Sequence, residues 1–201
     1  MNKSIVLAIT GASGIPIAIE LLKQLLILDC EVHLVFSNAG IITFNHEMGT
    51  KLSINPEKCK ENLALNYKLE KIDNLFVYRN SDWFSPIASG SSIGESMVIC
   101  PCSMSTLAKV ANGISDDLLT RAADVIIKER KNLILVPRET PLSVIHLDNM
   151  KSLSKLGVSI LPPVLTFYHH PKDINDLIIF IVIKILNQLD IKHNLKKFWG
   201  N

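Results

Sequence analysis

The sequence contains few cysteines, and their spacing excludes two common uses of this residue. Its 201 residues include only four, Cys30, Cys59, Cys100 and Cys102. They lack the paired spacing of a metal site, and Cys100-Pro-Cys102 is one residue short of a CxxC redox motif. A disulfide between such near neighbours would be strained. We therefore expect four reduced, buried thiols in a cytoplasmic protein.

Blocks of like charge and long hydrophobic runs are also missing. The formal net charge is only +2, and Lys196-Lys197 is a single basic pair. Nucleic acid is therefore not an expected partner. The longest apolar run, residues 177–183, ends at Lys184 and is too short to cross a bilayer, so no membrane insertion is expected. Residues 10–14 interrupt the apolar N-terminal run, which favours a buried strand over a signal peptide.

Metal-ligating patterns are absent from the sequence as well. Asp116-Asp117 is followed by Leu118-Leu119-Thr120, so an aspartate-rich motif for magnesium and diphosphate is missing. His169-His170 has no third ligand at a helpful spacing. We therefore expect no metal site.

The most informative segment that is present joins an apolar run, a small-residue turn and a helical pattern. Residues 5–9 read Ile-Val-Leu-Ala-Ile, and Thr10-Gly-Ala-Ser-Gly14 follows. Gly11 and Gly14 permit backbone angles and close approaches that a Cβ would prevent. Free N–H groups at the start of the next helix would face an anion. This favours a site for the phosphate of a nucleotide or flavin, the alternative being a turn whose glycines serve geometry only.

Strand-like and helical patterns alternate along the chain. Short, continuously apolar strands with helices between them predict a parallel sheet covered on both faces. We predict one α/β domain over residues 1–201, with a Rossmann-like or flavodoxin-like doubly wound parallel sheet. The predicted strands cover residues 4–10, 32–36, 96–100, 133–136 and 158–161. The predicted helices cover residues 16–28, 38–48, 56–65, 103–112, 116–131, 141–156 and 173–189, and residues 50–75 are otherwise polar.

Polar residues follow the predicted strands at the edge where such sheets bind ligands. The four segments read Thr10–Gly14, Ser37-Asn38, Pro101–Thr106 and Pro137–Thr140. Because each contains hydroxyl, small or charged residues, we expect the functional site to lie among them.

Several of these residues also have an ordinary structural interpretation. Ser103 suits a helix N-cap, although a cap needs only one of the three hydroxyls of Ser103, Ser105 and Thr106. Ser37 has the same two interpretations. Arg138-Glu139 is either an exposed loop pair or a carboxyl group placed for proton transfer.

The cations of the predicted helix 116–131 are equally open to two interpretations. Arg121 and Lys128 are seven residues apart and share a helical face. Asp117 and Asp124 lie three or four residues from them, which suggests surface ion pairs. The alternative is a stripe that binds an anion.

Taken in order, these segments resemble the flavin prenyltransferases of the UbiX type. The match runs from residue 4 to Trp199-Gly200, and only residues 50–80 lack a matching motif. The matching segments are Thr10–Gly14, Asp82-Trp83, Ala88–Ser92, Val98–Ser103, Arg121–Val125, Lys128–Arg130, Leu135–Glu139, Ile145–Met150 and Phe167-Tyr168.

This resemblance implies an enzyme that joins a dimethylallyl group from dimethylallyl monophosphate to N5 and C6 of reduced FMN. The product, prenylated FMN, would serve a UbiD-type decarboxylase, often in ubiquinone synthesis. The family works without metal and assembles as homododecamers with sites between subunits.

The resemblance also implies a role for each matching residue. Glu139 would be the acid/base, with Ser13 beside the reacting centre. Lys184 stands where some members have arginine, so it keeps the charge without the bidentate fork. The expected FMN contacts are Gly11, Ala12, Ser13, Ser37, Ser103, Met104, Ser105, Thr106 and Arg138. The expected prenyl phosphate contacts are Glu47, Arg121, Lys128, Tyr168 and Lys184, with Trp83 and Trp199 as walls of the prenyl pocket.

Two rival functions remain from the sequence. An FMN-dependent cysteine decarboxylase of related fold would need a histidine near the flavin, whereas Ser37-Asn38 follows the second predicted strand here. An FMN-binding delivery subunit would keep Ser13 and Ser103 but would have no use for Glu139, Tyr168 and Lys184 together.

Overall fold

A six-stranded sheet forms the centre of the molecule in a computed structural model that describes residues 3–92 and 94–195. Its strands are β1 (Ser4–Ile9), β2 (Glu31–Phe36), β3 (Leu75–Tyr78), β4 (Ser96–Cys102), β5 (Asn132–Pro137) and β6 (Ser159–Ile160). All neighbours are parallel, in the order β3-β2-β1-β4-β5-β6. The doubly wound prediction is confirmed, and the order is the Rossmann-like one, with its switch point between β1 and β4.

Seven α-helices cover the two faces of this sheet in the described residues. They are α1 (Ile15–Ile27), α2 (Asn38–Met48), α3 (Pro56–Tyr67), α4 (Met104–Ala111), α5 (Leu118–Lys128), α6 (Val144–Lys155) and α7 (Ile174–Gln188). Buried residues of α1, α2, α3 and α7 form one hydrophobic cluster, and those of α4, α5 and α6 form the other.

The central strands β1 and β4 are apolar after their first residue, a serine in each, because each strand contributes to both clusters. In β1, Ile5 and Leu7 face one cluster while Val6 and Ala8 face the other. Period-two alternation of side chains makes this division automatic, and a strand buried on both faces then reads as a continuous apolar run. This explains why the sequence predicted strands at β1 and β4.

The sequence analysis missed strand β3. Leu75–Tyr78 begins where the stretch expected to be polar, residues 50–75, ends, and it forms one edge of the sheet. Only Leu75 of its four residues is buried, and Phe76 is exposed. A short edge strand with one buried residue gives too weak a pattern for recognition.

Two helices are shorter than expected because their N-caps lie further along the chain. The predicted helix 116–131 begins at Leu118, since Asp117 caps it through the N–H of Thr120. The predicted helix 141–156 begins at Val144, since the Ser143 hydroxyl accepts the N–H of His146.

No helix within residues 3–92 and 94–195 combines the length and the apolar character needed to span a bilayer. The four cysteines are unpaired and buried, as the sequence predicted. The prediction that one FMN-binding domain spans residues 1–201 stays a prediction.

Candidate active site

A cavity of about 290 Å³ lies where β1, β2 and β4 end, at the switch point of the sheet. The turns after these strands supply most of its wall, and the first turn of α5 supplies the rest. It is lined by Gly11, Ser37, Ala39, Ser103, Ser105, Thr106, Lys109, Asp117, Leu119 and Thr120. Five of the expected FMN contacts therefore share one cavity, namely Gly11, Ser37, Ser103, Ser105 and Thr106.

The turn after β1 requires glycine at two positions for different reasons. A Cβ on Gly11 would lie 2.5 Å from the Cβ of Ala39, so only glycine lets α2 pack this closely. Gly14 has a φ of 121°, which side chains rarely adopt. Both glycines thus have the geometric role that the sequence suggested.

The start of α1 is occupied by a carboxylate of the protein itself. Oε2 of Glu47, on α2, accepts the N–H of Gly14 at 3.1 Å and that of Ile15 at 3.0 Å. Those N–H groups are therefore not free, in contrast to the sequence-based expectation that they would face a ligand. A negative charge suits this position because it faces the positive end of the helix dipole. Contact between Glu47 and a prenyl phosphate remains a prediction.

Two serines at the cavity each cap a helix. The Ser37 hydroxyl accepts the N–H of Gly40 at 2.9 Å, and the Ser103 hydroxyl accepts that of Thr106 at 3.3 Å. A hydroxyl that accepts through a lone pair keeps its own proton for donation. Capping and ligand binding are thus compatible at Ser37. At Ser103 the hydroxyl also lies 3.0 Å from Oγ1 of Thr106, so one of this pair donates to the other.

The cavity also contains charges that the sequence analysis did not select. Lys109 donates to both carboxylate oxygens of Asp116 at 2.8 Å. This pairing raises the pKa of Lys109 and lowers that of Asp116, mainly through the hydrogen bond between them. No spacing in the sequence marks this pair.

Asn80 was also missed, and it connects the loop after β3 to α5. Its amide nitrogen donates to Asp117 at 2.9 Å, and its amide oxygen accepts the N–H of Leu119 at 3.0 Å. Both partners line the cavity. The side chain therefore fixes the start of α5 against the loop.

Other expected FMN contacts adjoin the cavity in the chain without lining it. Ala12 and Met104 are buried, and Ser13 is exposed. Arg138 is exposed, although its backbone N–H donates to Cys102 at 3.3 Å and so connects the ends of β5 and β4. Glu139 is exposed too, and its carboxylate accepts the N–H of Thr140 at 3.0 Å.

Arg121 and Lys128 lie along one side of α5, next to the serine-rich segment 88–92. Nε of Arg121 donates to the Ala88 carbonyl at 3.2 Å. A Cβ on Gly90 would lie 3.1 Å from Nζ of Lys128. The two cations therefore share a face, as predicted from their spacing.

Each of these cations also has a carboxylate partner. Arg121 pairs with Asp124 at 3.1 Å, and Lys128 pairs with Glu129, which lowers the pKa of Glu129. The Asp117 side chain instead caps α5 by accepting the N–H of Thr120, and it also accepts from the side-chain amide of Asn80. The surface-pair interpretation is thus correct for Asp124.

Tyr168 and Lys184 lie together, away from the cavity at the switch point. Both line a crevice of about 590 Å³ beside α7, and the crevice shares no lining residue with that cavity. The Tyr168 ring meets the Phe180 ring edge-on at 6.2 Å, and Nζ of Lys184 lies 5.3 Å from the Phe180 centroid. Within one chain, the expected substrate residues are thus divided between separate places.

Trp83 lines a second crevice of about 590 Å³, which shares Asp117 with the cavity. Tyr78 lies in the same wall, and burial is the main cause that raises its pKa to about 12. Trp199 lies outside the described residues. In residues 3–92 and 94–195, no group of three or more His, Cys, Asp or Glu side chains is arranged for a metal ion.

The chain is similar to known flavoproteins over most of its length. The flavoprotein family model matches residues 1–186. The flavin prenyltransferase UbiX of Pseudomonas aeruginosa is 44% identical, and the match covers 98% of this chain and 93% of that protein. The corresponding enzyme of Methanocaldococcus jannaschii is 42% identical, with 98% of each chain covered.

Solved structures extend the likeness to the fold. AnUbiX, solved with FMN and dimethylallyl pyrophosphate, has a TM-score of 0.87 at 37% identity, with 100% of this chain and 99% of that chain covered. A dodecameric FMN-dependent UbiX-like decarboxylase from Escherichia coli O157:H7 has a TM-score of 0.85 at 37% identity, with 98% and 100% covered.

The rival cysteine decarboxylases are more distant. The peptidyl-cysteine decarboxylase EpiD is 18% identical, with a TM-score of 0.58 over 83% of this chain and 84% of that one. Such a likeness shows the shared fold alone. With 44% identity over nearly the whole length of a flavin prenyltransferase, this flavoprotein belongs to the flavin prenyltransferase family.

Proposed function

We propose that the chain transfers a dimethylallyl group from dimethylallyl monophosphate to N5 and C6 of reduced FMN. The observation that carries the proposal is the cavity at the switch point, in a chain 44% identical to a flavin prenyltransferase. Reduced FMN supplies the nucleophilic ring atoms when bound.

The donors around the cavity fit a phosphate monoester such as FMN. The Ser37 hydroxyl caps α2 through a lone pair, so its proton remains for a ligand. The cavity also borders the N-terminus of α4, where backbone N–H groups and the helix dipole favour an anion. Lys109 also lines the cavity, where its ammonium group is paired with Asp116.

The cations outside the cavity, Arg121, Lys128 and Lys184, have a defined role in the proposed reaction. Breaking the allylic C–O bond leaves a delocalised cation and an inorganic phosphate dianion. We assign Arg121, Lys128 and Lys184 to the phosphate, whose developing charge they stabilise. Glu47 and Tyr168 complete the phosphate environment in this proposal.

Aromatic side chains have the complementary role of enclosing the prenyl group. We assign Trp83 and Trp199 to the apolar walls. An aromatic face stabilises a cation by roughly 1–2 kcal/mol when water is excluded. The same exclusion prevents water from capturing the allylic cation.

The second bond, to C6, requires that the remaining alkene of the prenyl group gain a proton to become electrophilic and that C6 lose a proton afterwards. We assign Glu139 as the acid/base for these proton transfers, with Ser13 beside the reacting centre. Glu139 is exposed in the single chain. The proposal therefore requires that another part of the assembly shields this carboxylate.

The proposed assembly is a homododecamer with active sites between subunits, by analogy with the dodecameric E. coli relative. Tyr168 and Lys184 line a crevice separate from the cavity, which supports a site built from more than one copy. Apolar side chains at the start of α6 and in the segment after β6 support buried contacts between copies. The exposed ones are Leu142, Val144, Ile145, Leu147, Val164, Leu165 and Phe167.

The proposed product, prenylated FMN, would pass to a UbiD-type decarboxylase, with ubiquinone synthesis as the associated pathway. We place the reaction in the cytoplasm, where the four unpaired thiols would stay reduced.

Anaerobic incubation with reduced FMN tests the proposal. With dimethylallyl monophosphate, mass spectrometry should find a flavin heavier by one five-carbon prenyl unit. Unchanged FMN, with an active relative as positive control, would contradict it. A parallel reaction with the diphosphate measures donor preference, because the AnUbiX complex contains dimethylallyl pyrophosphate. Oxidative decarboxylation of a peptidyl or pantothenoyl cysteine, without any prenylated flavin, would favour the cysteine decarboxylase alternative.

A further inference from the structure

Thr10 occupies a buried position between the two turns that form most of the cavity. It follows the last residue of β1 and immediately precedes Gly11, and its side chain has no exposed surface. Its hydroxyl donates to the carbonyl of Pro101 at 2.8 Å and accepts the N–H of Ser103, also at 2.8 Å. One hydroxyl thus connects the end of β1 to the end of β4.

Of these two hydrogen bonds, the one that Thr10 accepts from Ser103 matters more for the shape of the cavity. The Pro101 carbonyl also accepts the backbone N–H of Thr10 at 3.2 Å. If the Thr10 hydroxyl is removed, this carbonyl therefore keeps one hydrogen-bond donor. Thr10 is the acceptor that the structure records for the Ser103 N–H. Removing the hydroxyl while keeping the side-chain volume would leave that part-buried N–H without this acceptor, which is costly.

The hydrogen bonds of Thr10 join two segments that both line the cavity. Ser103 caps α4 and lines the cavity, and Gly11, which follows Thr10 in the chain, lines it as well. A shift of Ser103 toward another acceptor would therefore change the width of the cavity and the direction of its own hydroxyl. Precise spacing of binding groups usually depends on such supporting hydrogen bonds.

We propose that Thr10 is a positioning residue for flavin binding, acting through Ser103. The inference rests on the proposed function, because it takes FMN as the occupant of the cavity. Thr10 itself touches no ligand in this account. Its hydroxyl sets the separation of the turns after β1 and β4.

Three variants separate positioning from general stability. Thr10→Val keeps the branched shape and removes the hydroxyl, while Thr10→Ser keeps the hydroxyl and removes the methyl group. Ser4→Ala is the matched control. Ser4 begins the same strand, at the N-terminal end away from the cavity, and its hydroxyl donates to Glu31 at 3.1 Å. FMN dissociation constants and thermal unfolding without FMN are measured for each.

We expect Thr10→Val to raise the FMN dissociation constant about tenfold or more, equivalent to about 1.4 kcal/mol. Thr10→Ser should stay within about threefold of the parent, and Ser4→Ala should bind FMN normally even if it unfolds earlier. The inference is overturned if Thr10→Val binds FMN like the parent, or if Thr10→Ser is as weak as Thr10→Val. A parent protein that binds no FMN would instead overturn the proposed function.

Hydrogen exchange on the parent protein tests the same contact without any substitution. The Ser103 amide should exchange as slowly in flavin-free protein as amides inside β4, because Thr10 accepts its proton. Exchange as fast as that of an exposed loop amide would contradict the inference, even if Thr10→Val failed to fold.

Discussion

At the scale of single residues, hydroxyl groups at the cavity combine structural and binding roles. Ser37 caps α2 and lines the cavity, and its lone pair and its proton serve the two roles separately. The two interpretations left open by the sequence therefore do not compete at this position. Aspartate also caps helices well. Ser37→Asp consequently retains the cap while placing a negative charge against a phosphate.

Glu139 is the residue on which proton transfer depends in this account. Glu139→Gln should leave FMN affinity within about twofold, because no step of flavin binding uses its charge. Formation of prenylated FMN should slow by about 10²-fold or more, the usual contribution of a positioned acid or base. Single-turnover mass analysis checks the rate. Unaltered turnover would remove Glu139 from this role.

Cys59 should make the free energy of unfolding fall as the pH rises in alkaline solution. Burial raises the pKa of its thiol from 9.0 to about 11. Between these values the unfolded chain loses this proton first, so the folded state loses stability as pH rises. The slope is about 1.4 kcal/mol per pH unit for one thiol.

Cys59→Ala removes this titration and should flatten the loss of stability between pH 9 and 11. Urea unfolding across that range measures the slope, whatever the stability of the variant at pH 7. Burial also raises the pKa values of Cys30, Cys100 and Cys102, so both proteins keep a residual slope. Identical slopes for parent and variant would contradict the account.

At the scale of elements, the sequence predicted which strands end at the site, but it did not predict the hydrogen bonds that connect the turns after them. Apolar runs placed β1, β2 and β4, and parallel pairing then brings the turns after them to one edge. The hydrogen bond from Ser103 to Thr10 joins residues 93 positions apart. Period and spacing carry no signal for such a contact, so Thr10 and Asn80 emerged only from the structure.

The Tyr168 and Lys184 pair shows another limit of sequence reasoning. Resemblance assigned both to the same site as Ser103, yet the structure places them beside α7. The chain order of elements predicts which turns share a sheet edge. It does not predict which surfaces of separate copies meet, because that depends on contacts outside the fold of one chain.

The start of α1 provides a prediction about stability at this scale. Glu47 accepts the N–H groups of Gly14 and Ile15, where no side chain of the N-cap residue does so. Glu47→Ala should lower the free energy of unfolding by about 1–2 kcal/mol, and Glu47→Gln by about half as much, since glutamine keeps an acceptor but loses the charge.

Urea unfolding of both variants at neutral pH checks this order. Glu61→Gln, at an exposed position on α3, is the matched control for loss of one negative charge. Equal stability of all three variants and the parent would show that the Glu47 contact contributes nothing to α1.

At the scale of the whole molecule, the two parts of the proposed site lie in crevices without common residues. If the site forms between copies, two defective variants should complement each other. Ser37→Asp damages the cavity and Lys184→Ala damages the α7 crevice. Randomly mixed assemblies would then contain intact sites at about a quarter of the positions.

Co-expression of differently tagged Ser37→Asp and Lys184→Ala chains tests this expectation. Assemblies carrying both tags should recover about a quarter of the parent's prenyl transfer, whereas each variant alone stays inactive. Mixed assemblies that remain as inactive as the separate variants would indicate a site contained within one chain.

A crystal structure of the protein with FMN and dimethylallyl monophosphate tests most directly whether flavin and prenyl donor meet at the switch point. The account predicts flavin density between the Gly11 and Ser103 turns, with Tyr168 and Lys184 of a neighbouring copy at the prenyl phosphate. Flavin bound elsewhere, with the cavity between those turns filled only by water, would contradict it.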